Sequence, residues 1–173
     1  MANRAYLFCT DVIDESIWWN RDRKYYDSRW QIPVVWFFFF SVADLYWRER
    51  QEDGDTWKEV KLWTEKENAL KRFSQRRKML ESIIKDRLDV QLLDRFKQEI
   101  INLKGSLLVL DPEEIIAGIS YSDLEHFKAI QCILETIESG DATTIKNLSK
   151  LGTYFQFGDD PDRWELNVIG CTY

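Results

Sequence analysis

The sequence predicts an α+β fold in a single mixed domain that spans residues 1–173. Strand-like segments occur near both ends and in the centre, amphipathic helical segments lie between them, and no internal repeat or long linker divides the chain. With 173 residues, 45% of them apolar, the chain can bury a large core and is too apolar to be wholly disordered. We therefore expect central helices, including a helical hairpin, on a small sheet of N-terminal, central and C-terminal strands.

The first third of the chain contains two clear strand patterns and one ambiguous apolar run. Residues 4–10 are rich in aromatics and end at an acidic loop, and residues 57–63 alternate in polarity, so both segments read as strands. Residues 16–31 have no clean period, which indicates an ordered loop. Pro33 suits the first turn of a helix over residues 34–48, although the Val, Trp and Phe content also favours a strand. Periodicity does not decide between them, and length favours the helix.

Two helices with apolar stripes follow and predict an antiparallel hairpin. The first starts at a capping box, residues 64–67, in which the Thr64 hydroxyl would accept from the Glu67 amide. The second covers roughly 86–103, with Gly105 as its C-terminal cap. Because glutamates share the first helix with its basic residues, i,i+4 pairing favours a solvated face over nucleic-acid contacts. The basic residues of this strip are Lys71, Arg72, Arg76, Arg77 and Lys78.

The C-terminal part alternates between strands and helices. Residues 106–110 form a short apolar run of the buried-strand type, and residues 111–114 (Asp-Pro-Glu-Glu) are a strong helix start. Residues 122–139 form the clearest amphipathic helix. The end reads as a hairpin, with strands over residues 154–157 and 164–169 on either side of an acidic turn.

Residues that usually carry catalysis are few. His126 is the single histidine, and Cys9, Cys132 and Cys171 have no C-x-x-C spacing. These counts argue against a disulfide framework, a zinc site and a Cys–His catalytic pair. The acidic turn near the end does not have the spacing of a calcium loop. We expect a protein that is not an enzyme and that needs no cofactor or metal.

The net charge of −6 is unevenly distributed. It is −2 over residues 1–63, +4 over residues 64–104 and −8 over residues 105–173. The acidic C-terminal third should repel nucleic acids and attract a cationic protein surface. The longest apolar run, residues 32–46, is shorter than the about 20 residues that cross a bilayer, and the start lacks the apolar region of a signal peptide. We expect a cytoplasmic protein that binds neither nucleic acid nor membranes.

Seven of the eight tryptophans lie between residues 18 and 63. Core packing should take Trp36 and most of Phe37–Phe40. The pairs Trp18–Trp19 and Tyr25–Tyr26 are adjacent, so one member of each should reach the surface or a groove, where aromatics dominate interface hot spots. The alternatives are core or loop packing for the aromatics and a solvated turn for the aspartates. The candidate partner-binding residues are Trp18, Trp19, Tyr25 and Trp30 as anchors, with Asp159, Asp160 and Asp162 as acidic contacts.

Two short stretches resemble a family of small acidic bacterial proteins. The start, Met1 to Leu7, is similar to their Met-Ala-Asn-Arg-Ser/Ala-Tyr-Leu opening, and residues 111–115 are similar to a later acidic segment. Many such proteins are regarded as immunity proteins made beside toxins. The resemblance implies a protein that occludes the active site or substrate surface of a cognate toxin domain, and a basic, nuclease-like toxin would match the acidic residues. The alternative is a regulatory or scaffold protein with an aromatic-rich surface, including a homodimer.

Overall fold

The computed structural model describes residues 4–12, 24–29, 32–52, 55–84, 90–112, 123–140, 155–156 and 171–172. The strands are β1 (Arg4–Thr10), β2 (Tyr25–Arg29), β3 (Ile32–Pro33), β4 (Leu45–Glu52), β5 (Asp55–Glu65), β6 (Leu107–Asp111), β7 (Phe155–Gln156) and β8 (Cys171–Thr172). The helices are α1 (Val34–Phe37), α2 (Lys66–Gln75), α3 (Arg77–Ile84), α4 (Val90–Asn102) and α5 (Asp123–Ser139), and a 3₁₀ turn covers Val42–Asp44. The predicted α+β class is confirmed.

Within the described ranges, the main sheet has six strands in the order β4-β5-β6-β1-β2-β8, and every neighbouring pair is antiparallel. A separate parallel pair joins β3 to β7. The first strand of the chain therefore lies inside the sheet, between β6 and β2. N-terminal, central and C-terminal strands all contribute, as the sequence predicts.

The two faces of the sheet differ because successive side chains of a strand point to opposite sides. On β1, Ala5, Leu7 and Cys9 belong to the main core, which also holds the buried residues of the helices. Tyr6 and Phe8 of the same strand lie on the other face in a smaller cluster with Val109, Tyr25 and Trp63. The main core thus lies between the sheet and the helices.

Phenylalanines fill the centre of the main core. Every residue of Phe37–Phe40 is fully buried, as is Trp36, which confirms their predicted core role. Phe39 stacks on Phe73 of α2 with ring centroids 4.4 Å apart and meets Phe96 of α4 edge-on at 5.7 Å. Offset stacked and edge-on rings are the favourable arrangements of aromatic pairs. These contacts fix α2 and α4 against the segment that follows α1.

The predicted helix over residues 34–48 is wrong beyond its first turn. Only Val34–Phe37 is helical, and the chain then passes through the 3₁₀ turn into β4. Leu45 to Glu52 pair with β5 in a continuous antiparallel register. The β-hairpin satisfies the backbone of this stretch through β5, and its adjacent Tyr46 and Trp47 suit a strand. The length criterion failed because two elements of different type share one apolar run.

Two further local expectations are corrected. The predicted loop over residues 16–31 contains β2, whose residues pair with β1 from Arg4↔Arg29 to Phe8↔Tyr25. Thr64 is not a helix cap, because it lies in β5 and α2 begins at Lys66 with no side-chain capping bond from Glu65. In both places long-range strand pairing overrides a local signal.

The predicted helical hairpin is present, with its first arm divided into α2 and α3 at Arg76. Phe73 contacts Phe96 and Arg77 contacts Asp94, so the arms run antiparallel. The basic strip is not wholly a solvated face, because its three arginines are half-buried and paired. Arg72 donates to Asp44 (2.5 Å), Arg76 to the carbonyl oxygens of Phe38 (3.3 Å) and Phe40, and Arg77 to Glu81 (2.6 Å) and Asp94 (3.0 Å).

Candidate functional site

The second face of the sheet carries a row of apolar and aromatic residues across four strands. The register sets Trp63 opposite Val109, Val109 opposite Phe8, and Phe8 opposite Tyr25. Val109 and Phe8 are buried, whereas Trp63 and Tyr25 at the two ends are half-buried. The row therefore presents aromatic surface at its ends only.

Beside it runs a row that contains charged residues. Lys61 Nζ lies 3.4 Å from Asp111 Oδ2, and Arg4 Nη1 donates to Asp27 Oδ2 at 2.7 Å. Lys61, Asp111 and Asp27 are all buried. A buried charge that loses its partner is strongly destabilising, so these groups have a structural role. Asp111 ends β6 with its carboxylate beside Lys61, and the helix predicted to start at residues 111–114 would continue outside the described residues.

A cleft of about 240 Å³ opens at the Trp63 end of the aromatic row. The register pairs Tyr46 with Lys61, two residues before Trp63, so Tyr46 and Trp63 are diagonal neighbours on one face. Both rings are half-buried and line the cleft. The lining residues are Ala43, Asp44, Leu45, Tyr46, Trp63, Thr64, Glu65, Asn68 and Arg72.

One carboxylate organises the base of the cleft. Asp44 Oδ2 accepts from the Ser41 amide (2.7 Å), from the Ser41 hydroxyl (3.0 Å) and from Arg72 Nη1 (2.5 Å). Arg72 also donates to the Thr64 hydroxyl at 3.2 Å. The Asp44 side chain is 10% exposed and that of Arg72 26%. These bonds join the 3₁₀ turn, β5 and α2, so the cleft has a fixed base.

The rim of the cleft is acidic. Glu65, at the start of α2, is exposed, and its Oε2 accepts from Asn68 Nδ2 at 2.9 Å. Acidic residues suit this position, because the helix N-terminus carries partial positive charge. The lining holds two carboxylates, of Asp44 and Glu65, against the guanidinium of Arg72. The ionised side chains of the cleft thus leave one negative charge in excess.

The cleft is equipped for binding. Its lining residues offer carboxylate oxygens, two aromatic rings, an amide and two hydroxyls, and they include no histidine or cysteine. A volume of about 240 Å³ is below the roughly 300–1,000 Å³ of pockets that enclose small-molecule ligands. The space therefore suits a single side chain of a partner better than a cofactor.

The structure describes one of the seven residues predicted to bind a partner. Tyr25 lies at the opposite end of the aromatic row from Trp63, about 14 Å away by three inter-strand spacings. Its ring meets Tyr6 edge-on at 5.8 Å. It therefore does not line the cleft. The other six predicted residues, Trp18, Trp19, Trp30, Asp159, Asp160 and Asp162, lie outside the described residues.

Sequence reasoning missed the residues that line the cleft. Asp44 was the one signal available, because it is the single charged residue of the apolar run from Ile32 to Tyr46. Its partner Arg72 lies 28 residues further on, and no local pattern links the two.

Two other polar contacts hold the helices in place, one against the sheet and one against another helix. Tyr26, fully buried beside Phe96, donates its hydroxyl proton to Glu99 of α4. Burial raises the pKa of Tyr26 above its ordinary value, and the Glu99 carboxylate raises it further. Burial lowers the pKa of Arg76, which the Glu138 carboxylate, 4.0 Å away, partly offsets. Tyr26 thus joins β2 to α4, and Arg76 joins the junction of α2 and α3 to α5.

Within the described ranges, no group of three or more His, Cys, Asp and Glu residues is arranged to hold a metal ion. No helix in the same ranges has the length and hydropathy to cross a membrane. His126 falls on α5, but its side chain is outside the described part. Comparison of the chain with protein-family models, with curated proteins and with solved structures finds no match.

Proposed function

We propose that this chain is a cytoplasmic immunity protein that binds a cognate toxin domain and blocks its active site or substrate surface without catalysis. The observation that carries the proposal is the pair of half-buried rings, Tyr46 and Trp63, beside acidic residues on a fixed base. The net charge of −6 supports it, since acidic inhibitors associate rapidly with basic targets.

The position of the two rings favours a role in recognition. Tyr46 and Trp63 extend from strands whose opposite faces pack on the main core, so binding orders little backbone. A preorganised surface loses less conformational entropy on association than a flexible one. Tryptophan and tyrosine are also enriched among the residues that dominate binding free energy.

The charged groups of the interior support a non-catalytic role. Arg4, Lys61, Arg72 and Arg77 each contact a carboxylate, and Arg76 donates to backbone carbonyl oxygens. Contacts of this kind hold the fold together, because a buried charge that loses its partner is destabilising. Inhibition by occlusion requires only a complementary surface.

The test combines capture with protection. A tagged chain is used to recover partners from its native host at low salt, and the recovered protein is then expressed in a sensitive strain with and without this chain. We expect a partner that arrests growth alone and is harmless together with the wild-type chain. Trp63→Ala should weaken protection, while Lys71→Ala, an exposed change outside the cleft, should not. Recovery of a non-toxic partner, or of the bait as a stable oligomer, would contradict the proposal.

A self-associating scaffold is the second candidate. Strand β4 is eight residues long and, among the described strands, has β5 as its one neighbour in the sheet. Unpaired edges promote strand addition between chains. Light scattering that shows mass increasing with protein concentration, together with no protective activity, would favour this candidate.

A further inference from the structure

We propose that the cleft between β4, β5 and α2 receives the guanidinium group of an arginine side chain on a partner protein. The inference rests on the proposed function and specifies what its binding surface recognises. The cleft, at about 240 Å³, has room for one side chain, and three further observations identify that side chain.

Both carboxylates of the cleft retain an oxygen for a cation. Asp44 uses Oδ2 for Ser41 and Arg72, and Glu65 uses Oε2 for Asn68. The described residues form no hydrogen bond to Asp44 Oδ1 or Glu65 Oε1. An ionised carboxylate has about four acceptor sites, so each group can accept further N–H donors. Guanidinium provides five such donors in a planar fork.

The rings of Tyr46 and Trp63 add a second preference for a cation. The face of an aromatic ring attracts positive charge, most strongly for tryptophan. A planar guanidinium can also stack on such a ring, whereas an ammonium acts as a compact and strongly hydrated charge. The combination of carboxylates and rings therefore favours arginine over lysine.

The alternative interpretation is that the cleft binds an anion, since the Arg72 side chain and the N-terminus of α2 are both positive. The Arg72 guanidinium is already bonded to Asp44 and Thr64. Glu65 precedes the first turn of α2 and Glu67 lies within it, so carboxylates of the chain already provide the negative charge that the helix N-terminus favours. An added anion would meet two carboxylates of the lining. The lining has two carboxylates and one guanidinium, and this excess of negative charge favours a cation.

The test is a titration with Nα-acetyl-arginine methylamide, followed through the indole N–H signal of Trp63 in NMR spectra at constant ionic strength. Trp63→Phe assigns the signal. We expect a saturable shift with the arginine compound, a weaker one with the lysine analogue and none with the citrulline analogue, which has the same shape and no charge. Glu65→Gln should weaken binding about two- to fivefold, as expected for loss of one exposed charge pair. Glu67→Gln, two residues further on in the first turn of α2 and not in the cleft lining, should not change it.

Three results would overturn the inference. They are equal shifts with arginine and citrulline, no shift up to the solubility limit of the arginine compound, and a larger saturable shift with inorganic phosphate. Each leaves the proposed function standing if the captured partner is toxic and is neutralised. Conversely, if the cleft binds arginine but the captured partner is not toxic, the immunity function is refuted and the arginine site is supported.

Discussion

Replacement of Asp44 by alanine should be among the most destabilising single changes at the cleft. Asp44 Oδ2 accepts from the amide and hydroxyl of Ser41 and from Arg72. Alanine removes all three contacts at once. The Ser41 amide then has no acceptor at a residue that is only 9% exposed, and Arg72 loses its carboxylate.

The magnitude follows from burial. An amide left without an acceptor costs about 1–3 kcal/mol. Arg72 is 26% exposed and can regain water, so loss of its ion pair adds only about 1 kcal/mol. We expect Asp44→Ala to lower the free energy of unfolding by about 3 kcal/mol, or the Tm by about 6–12 °C for a chain of this length. Asp44→Asn keeps an oxygen for the Ser41 amide and should cost about 1 kcal/mol.

The assay is urea unfolding of wild type, Asp44→Ala, Asp44→Asn, Arg72→Met and the double variant Asp44→Ala/Arg72→Met. The cycle isolates the coupling between Asp44 and Arg72, which we expect at about 1 kcal/mol. Equal stability of the alanine and asparagine variants would show that the Ser41 amide does not depend on Asp44. A loss below about 1 kcal/mol for Asp44→Ala would refute the assignment of this carboxylate as the base of the cleft.

Three other perturbations test the fold. Both Gly105 and Gly140 have positive φ, so alanine is strained at either position. Gly105→Ala also places a Cβ 2.5 Å from a backbone nitrogen of β1, whereas the Cβ of Gly140→Ala meets nothing within 4 Å. Gly105→Ala should therefore lower the Tm by more than Gly140→Ala. Because the pKa of Tyr26 is raised, the folded chain keeps this proton above about pH 10, whereas the unfolded chain loses it. The free energy of unfolding should therefore fall as the pH rises above about 10, and Tyr26→Phe should make this fall smaller. Cys132 is exposed and Cys9 buried, so Cys132→Ser, and not Cys9→Ser, should lower the fast phase of modification by a thiol reagent.

Local patterns were sufficient where the residues of a segment all favour the element that the segment forms. The aromatic-rich composition of Arg4–Thr10 and the apolar stripe of Asp123–Ser139 identified β1 and α5, whose core-facing residues are buried. The run Phe37–Phe40 was assigned to the core because four consecutive large apolar residues have no other stable place in a folded chain. In these segments, burial of each apolar residue favours the same structure as burial of its neighbours.

The sequence by itself determined the α+β class, the helical hairpin and the apolar core. Tertiary structure alone decided that Tyr46 belongs to a strand, that Arg72 reaches Asp44, and that Tyr46 and Trp63 meet at one cleft. The physical reason is that periodicity reports which side of an element is apolar, whereas strand pairing and ion pairing depend on which distant segments the fold brings together. A carboxylate and a guanidinium 28 residues apart carry no shared local pattern, and only the packing of α2 against β5 makes them neighbours.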